Sequence, residues 1–164
     1  MQKGFTLIEL MVTLVVLVIA LSIGVPSFVT WIENNRLDTA TRTLASALQV
    51  ARNEAVSRQS VITVDSGGNW GNGLTIYTDT TPTGNTAQTA GDVLIKDLDF
   101  SMDGITTTTN DNRYISFTNT GLLSTADVSP LILTLCHTSG EPDGTQITIN
   151  TVGRTSISDK NDCP

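Results

Sequence analysis

The sequence predicts an α+β fold: a long N-terminal helix, membrane-spanning then amphipathic, packed on an antiparallel β-rich head. Three observations carry that prediction. From Phe5 to Val25 most residues are Leu, Val, Ile, Ala or Met, and Glu9 is the one charge. From Ser27 to Arg58 the pattern turns amphipathic. Beyond Arg58, short β-branched runs alternate with turns rich in Gly, Asn and Thr.

The apolar stretch comes first. As a helix, Phe5 to Val25 would reach roughly 31 Å, close to the ~30 Å hydrocarbon core of a bilayer. Nothing later in the chain is as apolar. A cleaved secretory signal fits poorly, because only Lys3 is basic and no small-residue cleavage site follows. A plain anchor leaves Glu9 unexplained. An acid in a membrane span costs on the order of 2.5–3.5 kcal/mol at the centre and less near the surface, so it calls for a function and a partner. Lys3 is too near the N-terminus to serve well. A cation from another chain would.

Pro26 lacks a donor and crowds the preceding turn, and Gly24 weakens it further, so the helix is expected to kink or loosen there. From Ser27 to Arg58, Leu37, Ala40 or Thr41, Leu44, Leu48, Ala51 and Ala55 recur at three- and four-residue spacings and form one apolar stripe. Asp38 with Arg42, and Glu54 with Arg58, stand four apart with the acid first, the favourable order.

Val61–Asp65 and Leu74–Asp79 read as strands of a hairpin, joined through Ser66–Asn69 and Trp70–Gly73. Thr80–Gly91 reads as a surface loop, and Asp92–Phe100 as a further strand or two. Thr106–Asn112 reads as a second polar loop. Tyr114–Phe117 is a short strand before a turn at Asn119–Gly121. Leu131–Cys136 is the most apolar strand and is expected to be central. Gln146–Asn150 alternates cleanly, and Val152–Ile157 would extend it after a bend.

The net charge is −7. After Arg58, four basic residues (Lys96, Arg113, Arg154, Lys160) face twelve acidic ones. The head should carry a negative field, the wrong sign for phosphate backbones. Catalysis finds little footing. His137 is the only histidine, and its neighbour Cys136 points to the opposite face of a strand. The aspartates are scattered singly, with no calcium-loop or phosphate-loop spacing. Nothing calls for a cofactor, and one His with two Cys falls short of a zinc set. If the head lies outside the cytoplasm, Cys136 and Cys163 are free to pair. That bridge would add roughly 3–4 kcal/mol and tie down the C-terminal tail.

Gly4-Phe5-Thr6-Leu7-Ile8-Glu9-Leu10 resembles the prepilin signature of type IV pilins and type II secretion pseudopilins. Four further stretches are similar to the GspH/FimT branch of minor pilins and pseudopilins. They are Ala51-Arg52-Asn53-Glu54-Ala55-Val56, Trp70-Gly71-Asn72-Gly73-Leu74, Ile115-Ser116-Phe117 with Gly121, and Gly153-Arg154 ahead of the terminal cysteine. The resemblance implies a pilin fold. Residues 1–4 would be a leader, 5–26 the transmembrane half of the helix, 27–58 its amphipathic half, and 59–164 the head. A prepilin peptidase would cut between Gly4 and Phe5 and methylate the new amine of Phe5. Glu9 would meet the N-terminal amine of a neighbouring pilin or pseudopilin, and that pairing would select the stacking register. The subunit would start in the inner membrane with its head in the periplasm and pass into a filament at the cell surface.

Three roles are compatible with this resemblance. The first is a non-enzymatic minor pilin that helps initiate pilus assembly at the tip. The second is a pseudopilin of type II secretion. The third is a DNA-binding minor pilin for DNA uptake. For the third, Arg154 and Lys160 match only part of the basic C-terminal stretch, and Asp159 and Asp162 cancel their charge.

Overall fold

The computed structural model describes residues 6–81, 84, 86–110, 113–124, 130–139 and 143–163. Helix α1 covers Leu7–Arg58. Eight strands follow: β1 Val61–Asp65, β2 Leu74–Asp79, β3 Leu94–Leu98, β4 Ile105–Thr109, β5 Tyr114–Phe117, β6 Leu131–His137, β7 Gly144–Ile149 and β8 Thr155–Lys160. The chain divides into two compact units, residues 1–35 and 36–164.

In the first unit, α1 is apolar all round and exposed from Leu7 to Trp31. A helix of that kind needs an apolar surrounding. Its most apolar 18-residue window has a mean hydropathy of 2.7, and none of it is buried. Among the described residues this is the one helix long and apolar enough to cross a membrane. The helix continues through Pro26, so the expected loosening does not break it.

In the second unit, α1 buries a single stripe: Leu37, Ala40, Thr41, Leu44, Ala47, Leu48, Ala51 and Ala55. Two four-stranded antiparallel sheets share the core with it, in the orders β3-β2-β1-β5 and β4-β6-β7-β8. Alternate residues of β1, β2, β5, β6 and β7 point inward: Ile62, Val64, Ile76, Ile115 and Phe117 from one sheet, Leu131, Leu133, Leu135, Ile147 and Ile149 from the other. The acid–base pairs Asp38–Arg42 and Glu54–Arg58 close at 2.9 and 2.5 Å on the helix surface.

The β1–β2 hairpin and the interior position of β6 match the sequence pattern. Two readings change. Thr106–Thr109, expected in a loop, lies in β4, where Ile105 pairs with His137 and Thr109 with Leu133. The run has one apolar residue, so its strand state comes from the β6 ladder and from threonine's β-branched fit to a pleated surface. Val152 and Gly153 do not extend β7. They form a turn, with Gly153 N donating to Asn150 O, and β8 returns antiparallel with Ile149 opposite Thr155.

The outer face of the first sheet is polar and covered. Asp79 accepts hydrogen bonds from Thr63 Oγ1 at 2.9 Å, from Thr81 N at 2.9 Å and from Thr86 Oγ1 at 3.0 Å. Thr63 and Ser116 share a further bond at 2.7 Å, and the Tyr77 hydroxyl donates to Thr86 O. The chain after β2 is thereby fastened across that face. Burial, then the nearby charges of Asp65, Asp79 and Asp92, push the Tyr77 hydroxyl well above the usual tyrosine range.

Candidate assembly site

The predicted site residues fall in three places. Gly4 and Phe5 lie outside the described residues. Thr6 immediately precedes the first turn of α1. Its hydroxyl accepts from the Glu9 backbone N–H at 3.3 Å, and its carbonyl accepts from Leu10 N. This satisfies one of the orphan donors at a helix start, and Thr6-Leu7-Ile8-Glu9 has the spacing of a capping box. The sequence carried that cue, and the reading of Glu9 as a partner-seeking acid passed over it. The Glu9 side chain is exposed and has no ion-pair partner among the described residues. Its neighbours Leu7, Ile8, Leu10 and Met11 are exposed too. The local structure therefore presents a lone carboxylate on an apolar wall, next to a helix N-terminus whose dipole favours negative charge.

The second place joins α1 to two loops far along the chain. Arg52 Nε donates to Gly121 O and Arg52 Nη2 to Val152 O, each at 2.9 Å. Both glycines at this junction have positive φ, 77° at Gly121 and 71° at Gly153. A Cβ on Gly153 would overlap the Gly121 carbonyl and crowd Arg52 Nε, and one on Gly121 would crowd Val56. Arg52, Gly121 and Gly153 belong to three stretches that carry the resemblance, and the fold brings them to one point. Sequence reasoning missed this junction because nothing in Arg52's own neighbourhood points to partners 69 and 100 residues away.

The third place is the C-terminus. Cys136 and Cys163 form the expected disulfide, with Cα atoms 5.8 Å apart. Cys136 lies opposite Gly144 in the β6–β7 ladder, and Gly144 lies opposite Lys160 in the β7–β8 ladder. The bridge thus reaches across the middle strand, and it can do so because Gly144 has no side chain. A Cβ there would overlap Cys163 Sγ.

Arg154 and Lys160 are not brought together. Arg154 precedes β8 and Lys160 ends it, so the strand rise puts them roughly 20 Å apart, with Asp159 between. Arg113, another head cation, is held by Asp65 in a two-pronged pair at 2.5 and 2.7 Å and lies over the Tyr114 ring. Hydrogen bonding to Asp65 raises its pKa further above an already high value. His137 is buried, and its Nε2 finds no hydrogen-bond partner among the described residues. A cleft of about 480 Å3 opens beside Trp70, Thr107 and Arg113. Among the described residues no three of His, Cys, Asp and Glu are grouped to hold a metal ion.

Burial works against ionisation at Asp92, but bonds from Thr89 N at 2.7 Å and Thr80 N at 2.8 Å outweigh it. They hold its carboxyl below the usual aspartate value.

Comparison with known proteins gives two family matches. The family described as type II transport protein GspH matches residues 40–153, and the prokaryotic N-terminal methylation motif matches residues 1–25. No curated protein matches the chain. Among solved structures, the type IV minor pilin FimU of Pseudomonas aeruginosa aligns in one crystal form with a TM-score of 0.62 and 23% identity. That alignment covers 82% of this chain and 99% of FimU. A second crystal form of FimU aligns at 0.58, covering 78% of this chain and 100% of that one. The minor pseudopilin EpsH of Vibrio cholerae aligns at 0.49 with 13% identity, covering 75% of this chain and 96% of EpsH. The architecture shared with FimU is the pilin fold.

Proposed function

The chain belongs to the GspH family, and from that premise we propose that it is a minor pilin of a type IV pilus that helps initiate assembly at the filament tip. The coarser statement, a minor pilin or pseudopilin, follows from the family and the fold together. The finer role is our reading. Residues 1–4 act as a leader that a prepilin peptidase removes between Gly4 and Phe5, and the new amine of Phe5 is methylated. The N-terminal methylation motif over residues 1–25 supports this. Residues 5–26 cross the inner membrane, 27–58 back the head, and 59–164 form the head in the periplasm. The disulfide fits that oxidising compartment. The protein acts by assembly with other pilins rather than by catalysis.

The observation that carries the reading is the exposed apolar helix with its single acid, Glu9, which has no ion-pair partner among the described residues. In the membrane the apolar surface meets lipid, and in a filament it meets neighbouring helices. The amine of a neighbour's Phe5 then supplies the cation that Glu9 lacks. We expect Glu9→Val to insert into the membrane normally and to be depleted from sheared filaments. Wild-type amounts of the variant in those filaments would overturn the pairing.

The description of the matched family favours one second reading, a pseudopilin of type II secretion. Deleting the gene separates the two: loss of surface pili supports the pilus reading, and loss of secreted enzymes with intact pili overturns it. DNA binding is the weaker role, because Arg154 and Lys160 stand at opposite ends of β8 in an acidic head. Retarded DNA migration with the purified protein at low salt, abolished by Arg154→Ala, would reverse that ranking.

A further inference from the structure

We propose that Phe28 and Trp31 form an interfacial anchor that seats α1 in the headgroup layer of a phospholipid bilayer and fixes the depth of Glu9. The proposal rests on the membrane reading above and adds to it where the span ends. The two rings stack on one face of the helix, with centroids 5.8 Å apart and planes 25° from parallel. They are 61% and 62% exposed.

Their place along the helix is specific. Before Trp31, three hydroxyl side chains are satisfied by the helix itself. Thr13 donates to Leu10 O, Ser22 to Ile19 O and Thr30 to Pro26 O, at 2.8, 2.8 and 3.2 Å. Internal satisfaction is what a hydrocarbon environment demands. After Glu9 the next charges come just past the aromatic pair, at Glu33 and Arg36. Amphipathic aromatic rings at the change from apolar to polar are suited to the membrane–water interface, where the ring body is greasy and the indole N–H finds water.

The spacing gives the anchor its consequence. Glu9 and Phe28 are separated by about 28 Å at 1.5 Å per residue, close to the ~30 Å hydrocarbon thickness. Rings held at one surface therefore hold the Glu9 carboxylate at the other, where an acid is tolerated better than at the centre. A span ending at Pro26 would draw Glu9 about 3 Å deeper.

The test uses the full chain in phosphatidylcholine–phosphatidylglycerol vesicles, with Trp70→Phe leaving Trp31 as the sole tryptophan. If that variant does not fold, the difference between wild type and Trp31→Leu isolates the same signal. Lipids brominated high on the acyl chain should quench Trp31 at least about twofold more than lipids brominated near the chain end. Phe28→Ala should reduce that ratio. Equal or deeper quenching overturns the anchor. So does a Trp31 open to aqueous iodide, or one shielded from bromine and iodide alike as protein density rises, which would make a second copy its partner. In each case flotation of the protein with the vesicles leaves the membrane reading standing. Failure to float would remove both.

Discussion

Gly153 is held at a φ of 71°, where an added Cβ would meet the Gly121 carbonyl and Arg52. An alanine there meets both a disfavoured backbone region and a backbone oxygen that cannot swing aside. We expect Gly153→Ala to cost roughly 2–5 kcal/mol, read from the urea midpoint of the purified protein. Arg52→Ala removes two charge-assisted bonds and should cost about 1.5–3 kcal/mol in the same measurement. Asp92 offers a different test. Its folded pKa is depressed, so its stabilising share is present above the unfolded value of ~3.9 and is lost as pH falls through the lower folded value. NMR titration of the Asp92 carboxyl should give a midpoint below ~3.9, and Thr89→Ala should raise it. The roles of Gly153 and Arg52 are not local in sequence, because their partners lie far along the chain. Asp92 draws on Thr89 three residues away and Thr80 twelve away, and aspartate has too many ordinary loop uses for that pairing to stand out.

Elements with a repeating pattern were legible in the sequence. The apolar stripe of α1 from Leu37 to Ala55 has helical spacing, and burial follows it, with Ala47 added. Strands β1, β2, β5 and β6 announce themselves by β-branched or alternating residues. β4 does not, because Ile105-Thr106-Thr107-Thr108-Thr109 offers one apolar residue and becomes a strand through its pairing with β6. The β7–β8 turn was also misplaced, since Gly153 serves the Arg52 junction and not a bend within one strand. At this scale the disulfide is the element to perturb. Its reduction should lower stability by about 3–4 kcal/mol, measured as the shift in urea midpoint with and without dithiothreitol. The loss should concentrate in β8, the edge strand beside it.

For the molecule as a whole, the proposed maturation and assembly rest on the N-terminal segment. The Gly4–Phe5 bond is proposed as a cleavage site only through resemblance, because no physical pattern marks it. We expect Gly4→Val, expressed with the peptidase, to retain its first four residues when its mass is measured. Normal processing would count against the leader. The fold class was legible because the apolar run and the amphipathic run are both long, and length makes periodicity unambiguous. The Cys136–Cys163 bridge has one more bearing on a subunit of a family that assembles with other pilins or pseudopilins. A terminal edge strand is the piece a chain can most easily lend to a neighbour, and crowded subunits invite such swaps. With the tail riveted over Gly144 to β6, β8 cannot be donated without first breaking a covalent bond. The subunit thus keeps its own last strand, however closely its neighbours are packed.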